Sequence, residues 1–183
     1  MTRLSIAPLL VSLLLAAPAS AAPTARDFDA VLGGVERRLS ATDLRRLGAA
    51  PDQALIAYAE DPHTSRVRRM RAILALRFAP SVSARAYLHD LLGQHGRATT
   101  GADVLDVAAA IGALSPYGRE ELATLLPYLS HASADVRQNA ASSLAALHEP
   151  DALGPLQARL TIERDSGVRF AIAGALRTIQ PFR

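Results

Sequence analysis

Apolar residues recur along this chain at helical spacing, and no stretch alternates apolar and polar convincingly over strand length. The clearest series is Val136, Ala141, Leu144 and Leu147, which returns 32 residues later as Val168, Ala173, Leu176 and Ile179. Each valine is followed by an arginine, Arg137 or Arg169, and Val67-Arg68 leads the same pattern into Ala72, Ala75 and Phe78. A further copy counted from Asp103 gives Ala108, Ile111 and Leu114 without the Val-Arg pair, so the intervals are 36, 33 and 32 residues. Ahead of each copy lies another segment of helical spacing, at 51–60, 82–92, 119–129 and 151–162. Turn-rich pieces such as Asp61-Pro62-His63-Thr64-Ser65 and His148-Glu149-Pro150-Asp151 separate the helices.

The predicted unit is therefore a helical hairpin of about 33 residues, used four times. One hairpin cannot bury its apolar face alone, so stacked neighbours must share one core. The small residue five places after each valine lets adjacent helices approach closely. Before the first hairpin, Phe28, Val31, Leu32, Val35 and Leu39 mark an amphipathic helix starting near Asp27. Ser40 and Asp43 open a short second helix ending near Gly48. Residues 22–50 thus read as an N-terminal helical cap on the first repeat, with a separate interaction helix as the alternative.

The segments Ala134-Asp135-Val136-Arg137 with Ala140-Ala141 and Leu144, Glu149-Pro150-Asp151-Ala152-Leu153, and Ser166-Gly167-Val168-Arg169 resemble HEAT repeats. The likeness is to the short bacterial type first associated with bilin lyases. It covers about residues 51–180, most clearly in the last two copies and weakly around Asp103. It implies an all-α, right-handed α-solenoid of about four hairpins over residues 51–183, in a family made up mostly of partner-binding scaffolds.

Composition adds a compartment and removes some chemistry. Met1-Thr2-Arg3, an apolar run from Leu4 to Ala17, and the small residues Ala19 and Ala21 have the three parts of a secretory signal over residues 1–21. The run is shorter than the roughly 20 residues of a membrane span. An exported protein, periplasmic or secreted, is expected. The chain has no Cys, which excludes disulfides, thiolate metal sites and a cysteine nucleophile. Its net charge of +3 sets 20 basic residues, all of them Arg, against 17 acids, a balance that calls for no nucleic-acid partner.

Candidate binding residues come from the inner helices. Arg68, Arg137 and Arg169 read as a repeat-wise structural ladder, with ligand binding the alternative. A second stripe, two, six and ten places after each valine, holds Arg69, Ile73 and Arg77, then Gln138, Ser142 and Ala146, then Phe170, Gly174 and Thr178. By analogy with the family this stripe faces the concave side, where partners lie. Arg66, Arg69 and Arg77 suit an acidic peptide or an anionic polymer, or form a merely solvated basic face. The inserted loop from Gly93 to Gly101, with Arg97, lacks the lysine and spacing of a phosphate loop.

No His-Glu-x-x-His or Gly-x-Ser-x-Gly motif is present, and the five His show no convergent ligand spacing, so neither metal nor cofactor is expected. His148-Glu149 is similar to the His-Glu pairs of HEAT-like deoxyhypusine hydroxylases, but it stands alone and Pro150 follows it. The last helix is too apolar for a stack end, so either the tail Gln180-Pro181-Phe182-Arg183 or a second chain is expected to cover it. Self-association through this helix is one outcome. The expectation is a non-catalytic protein-binding scaffold. The alternatives are a bilin-lyase-like or metal-dependent hydroxylase-like enzyme or enzyme helper, and an electrostatic binder of an anionic envelope polymer.

Overall fold

A computed structural model of the protein describes residues 22–33 and 39–180. Among them every regular element is helical. The secretory segment 1–21, Val35 of the cap helix and the tail beyond Gln180 lie outside the described residues.

The cap begins with α1, Ala25–Leu32, where the Thr24 backbone N–H donates to Asp27 Oδ2 at 2.7 Å. Asp43–Leu47 forms a 3-10 turn closed by Gly48 at φ 92°, a left-handed conformation that glycine takes without a Cβ clash. The first hairpin pairs α2, Pro51–Glu60, with α3, Arg66–Ala75, and the second pairs α4, Val82–His95, with α5, Ala102–Ala113. The third inner helix is α7, Ala134–Leu147, and the fourth hairpin is α8, Leu153–Ile162, with α9, Ser166–Ile179. Consecutive inner helices α3, α5, α7 and α9 pack side by side, forming the α-solenoid. Phe28 of the cap stacks on Tyr58 of α2 with ring centroids 4.0 Å apart, and Arg71 donates to the Leu32 carbonyl at 2.8 Å.

Two features depart from the expected pattern. The third outer helix, expected over 119–129, is broken into a 3-10 stretch Ser115–Glu121, a single turn α6, Leu122–Leu125, and a second 3-10 stretch Leu126–Ser130. Pro116 and Pro127 lack the amide hydrogen that continuous α-helical bonding needs, and Gly118 turns the chain at φ 74°.

The register of the first copy also differs. Helices α3, α5, α7 and α9 start at Arg66, Ala102, Ala134 and Ser166, so Val104, third in α5, takes the place of Val136 and Val168. In α3 the same count aligns Arg69 with Arg137, whereas Val67 is 53% exposed and Arg68 pairs with Asp29 of the cap. An apolar helix face is wide enough that a one-residue shift still buries Ala72 and Ala75, which hides the offset in the sequence.

Helix α5 is buried along almost its whole length, from Val104 onward apart from Leu105. Its run of Ala and Gly lets neighbours close in from both sides: a Cβ on Gly112 would lie 2.9 Å from Leu74 of α3 and 3.5 Å from Asn139 of α7. Outer-face ion pairs tie adjacent hairpins. Arg85 Nε donates to the fully buried Glu121 at 2.7 Å, and Arg119 reaches Glu149 at 2.6 Å and Asp151 at 2.7 Å.

Candidate functional site

The fourth residue of α3, α7 and α9 is an arginine, and in α3 and α7 it joins two hairpins. Arg137 donates through Nη1 to the carbonyls of His131 and Ala132 in the turn before its own helix. Its Nε and Nη2 reach forward to the two carboxylate oxygens of Glu163 in the next hairpin, at 2.8 and 3.0 Å. Glu163 is 4% exposed, and Arg159 adds a second guanidinium to its Oε2 at 2.7 Å. The amides of Arg164 and Asp165 donate to the other oxygen at 3.0 and 2.9 Å. Hydrogen bonding from Arg137 holds this carboxyl far below the usual carboxylate range, overriding the opposite effect of its burial.

Arg169 is the same part at the end of the stack. Its Nη1 again reaches back, to the carbonyls of Leu160 in α8 and Glu163 in the turn, 3.2 and 3.1 Å away. Its forward-reaching atoms find no carboxylate among the described residues. Beside it, Ala173 and Leu176 stand where Ala141 and Leu144 stand in α7. That earlier pair is completely buried, but Ala173 and Leu176 are only half-buried, with no further hairpin packed on them among the described residues. Arg169, Ala173 and Leu176 fall at i, i+4 and i+7, on one face of α9, with Phe170 at its rim, 75% exposed. The result is one half of a hairpin-to-hairpin junction.

A family model for HEAT repeats matches residues 97–177. Residues 97–177 are HEAT repeats. In the HEAT stack the matched segment spans the second to fourth inner helices, including the saturated Arg137–Glu163 joint and the open edge at Arg169. No curated protein and no solved structure matches the chain.

The residues singled out from the sequence are scattered over this stack. Arg66 is exposed at the start of α3, and Arg77 is exposed with its guanidinium 5.4 Å from the ring centre of Phe78. Arg69 is engaged, its Nε 2.8 Å from the buried Asp106 of the next hairpin. Ile73, placed on the same surface stripe, is fully buried, so in the first hairpin the core interrupts that stripe between Arg69 and Arg77. The stripe does reach the surface in the last two, where Gln138, Ser142 and Phe170 are exposed and a Cβ on Gly167 would lie 3.3 Å from Gln138 Oε1.

Arg97 lines a separate cavity of about 610 Å³ with Tyr128 and His131, where the Tyr128 hydroxyl packs against the place a Cβ on Gly96 would occupy. His89 Nε2 lies 3.0 Å from Glu121 Oε2, and among the described residues no three His, Asp or Glu side chains converge as a metal site. No helix among the described residues is long and apolar enough to cross a membrane. Sequence reasoning marked the last helix as an edge to be covered, but it did not single out the face of Arg169, Ala173 and Leu176. The available signal was the arginine ladder itself: its last member has no acid after it within the described chain.

Proposed function

We propose that this HEAT-repeat protein is an exported, non-catalytic adaptor that binds a protein partner over the open edge of its last hairpin. The observation that carries the reading is the arrangement at Arg169. Its backward-facing donor is used as in Arg137, whereas its forward donors and the adjoining Ala173 and Leu176 lack the covering that the same atoms receive one hairpin earlier. The internal joint defines what fits: a helical segment presenting an apolar side chain to Leu176 and a carboxylate to Arg169. Phe170 extends the apolar area to the rim, in keeping with the enrichment of aromatic side chains at interfaces. Export rests on the charged, apolar and small-residue parts of residues 1–21, and cell fractionation with the mass of the processed chain tests it.

Site-specific photocrosslinking in the native cell tests the binding edge. A crosslinker at Ala173 is expected to trap a discrete partner that one at the exposed Ala158 of α8 does not, and Arg169→Glu is expected to abolish the adduct. An adduct at twice the chain mass would identify the occupant as a second copy. Equal labelling from positions 173 and 158, or none from either, would overturn the reading.

A further inference from the structure

The joint between α7 and α9 shows what an occupant of the open edge must present. Glu163 sits in the turn three residues ahead of Ser166, the first residue of α9, and meets the fourth residue of α7. Four places after Glu163, Gly167 packs on α7, where a Cβ would lie 3.3 Å from Gln138 Oε1. Val168 and Ile172, five and nine places after Glu163, are fully buried. Gln138 and Phe170 are each the fifth residue of their helix, so on α9 the ring of Phe170 stands where α7 has Gln138. An occupant that repeats this joint carries a carboxylate in a turn, a small residue four places later beside Phe170, and apolar side chains after it.

Charge and position both argue against a second copy of this chain. Arg177, eight residues after Arg169, is exposed, and neither guanidinium meets a carboxylate among the described residues. Two α9 edges laid against each other would therefore oppose like charges. Nor does a second copy have the required acid to spare. The residues three places ahead of α3, α5 and α7 are His63, Thr99 and His131, none of them a carboxylate. Ahead of α9 the residue is Glu163, already saturated by Arg137, Arg159 and two amides. We propose that the occupant is a helical hairpin of a different protein, which sets an acid from its turn on Arg169 and continues the stack as a fifth hairpin. This inference rests on the reading of the α9 edge as a binding surface, and adds the shape, charge and source of the partner.

The test is an NMR titration of the full, isotopically labelled processed chain with an unlabelled synthetic peptide of residues 149–180, in which Glu163 has lost Arg137. Saturable shifts are expected at the amides of Arg169, Phe170 and Ala173 in the chain. Glu163→Gln in the peptide is expected to weaken binding by about tenfold or more, and Gly167→Leu by about tenfold. A Glu163→Arg peptide is expected to prefer the Arg169→Glu chain to the native one. No saturable shift at these amides, or an affinity indifferent to Glu163→Gln, would overturn the proposal. A second measurement does not depend on the peptide folding: the adduct from position 173 is expected to lie in a helix of a foreign protein, within two turns after an acidic residue. An adduct at twice the chain mass, or on a segment without such an acid, would overturn this inference and leave the edge a binding surface. Absence of any adduct would remove both.

Discussion

The joint at Glu163 and the joint at Asp106 begin with the same component, an arginine in the fourth position of an inner helix, and end in opposite electrostatic states. At Glu163 two guanidiniums and two backbone amides saturate the carboxylate, and its proton affinity falls far below normal. At Asp106 one guanidinium meets one oxygen, burial dominates, and the carboxyl is pushed above its ordinary range despite Arg69. The lesson is that a buried charge stabilises a repeat stack only when every lone pair is answered. An incompletely answered one is a cost that the rest of the stack must offset.

The most severe way to break this contrast is Glu163→Gln, which strands Arg137 and Arg159 at a desolvated joint. A loss of roughly 3–5 kcal/mol is expected in urea denaturation, enough to melt the last hairpin ahead of the rest.

Acid should act on the two joints with opposite sign. Because the folded state lowers the Glu163 pKa, its stabilisation is full above the normal carboxylate range and is lost as pH falls below it. For Asp106, whose folded pKa is raised, ionisation is what costs stability. That cost is present at neutral pH and relieved as pH falls through the raised value. The stability gap between the native chain and Glu163→Gln should therefore shrink on acidification from neutrality. The contribution of Asp106, measured against Asp106→Asn, should become less unfavourable over the same titration.

At neutral pH, Asp106→Asn is expected to change stability by about 1 kcal/mol or less, since losing the charge on the Arg69 bond is offset by relief of a buried ionised oxygen. A loss as large as that of Glu163→Gln would erase the distinction between the joints. The smallest effect belongs to Phe170→Ser. It should leave the melting curve within about 0.5 kcal/mol, because the ring is 75% exposed, while weakening crosslinking at position 173.

Much of this molecule could be read before its coordinates. The hairpin unit, the buried Ala72, Ala108 and Ala141, and the turn at His148, which adopts φ 55°, follow from periodicity and turn chemistry. The first register slipped by one because Val67-Arg68 copies the letters of Val136-Arg137 while Arg69 copies the geometry. Dipeptide identity outweighed a helix start that only backbone hydrogen bonding defines. The broken third outer helix had its cause written in Pro116, Gly118 and Pro127, yet its apolar spacing still imitates a continuous helix. Both joints depend on pairs 26 and 37 residues apart, and neither separation equals the repeat interval, so no local pattern exposes them.

The almost fully enclosed α5 has a bearing on how such a chain can change length. Leu74 and Asn139 converge on Gly112 from the two sides, so the second hairpin is a keystone whose excision would leave its neighbours facing each other without matching surfaces. The far end is different: copying residues 150–180 in tandem would set a new acid opposite Arg169 and prolong the seam. Growth can continue from the described edge of α9, and lineages of such proteins should vary there in repeat number while keeping their middle fixed.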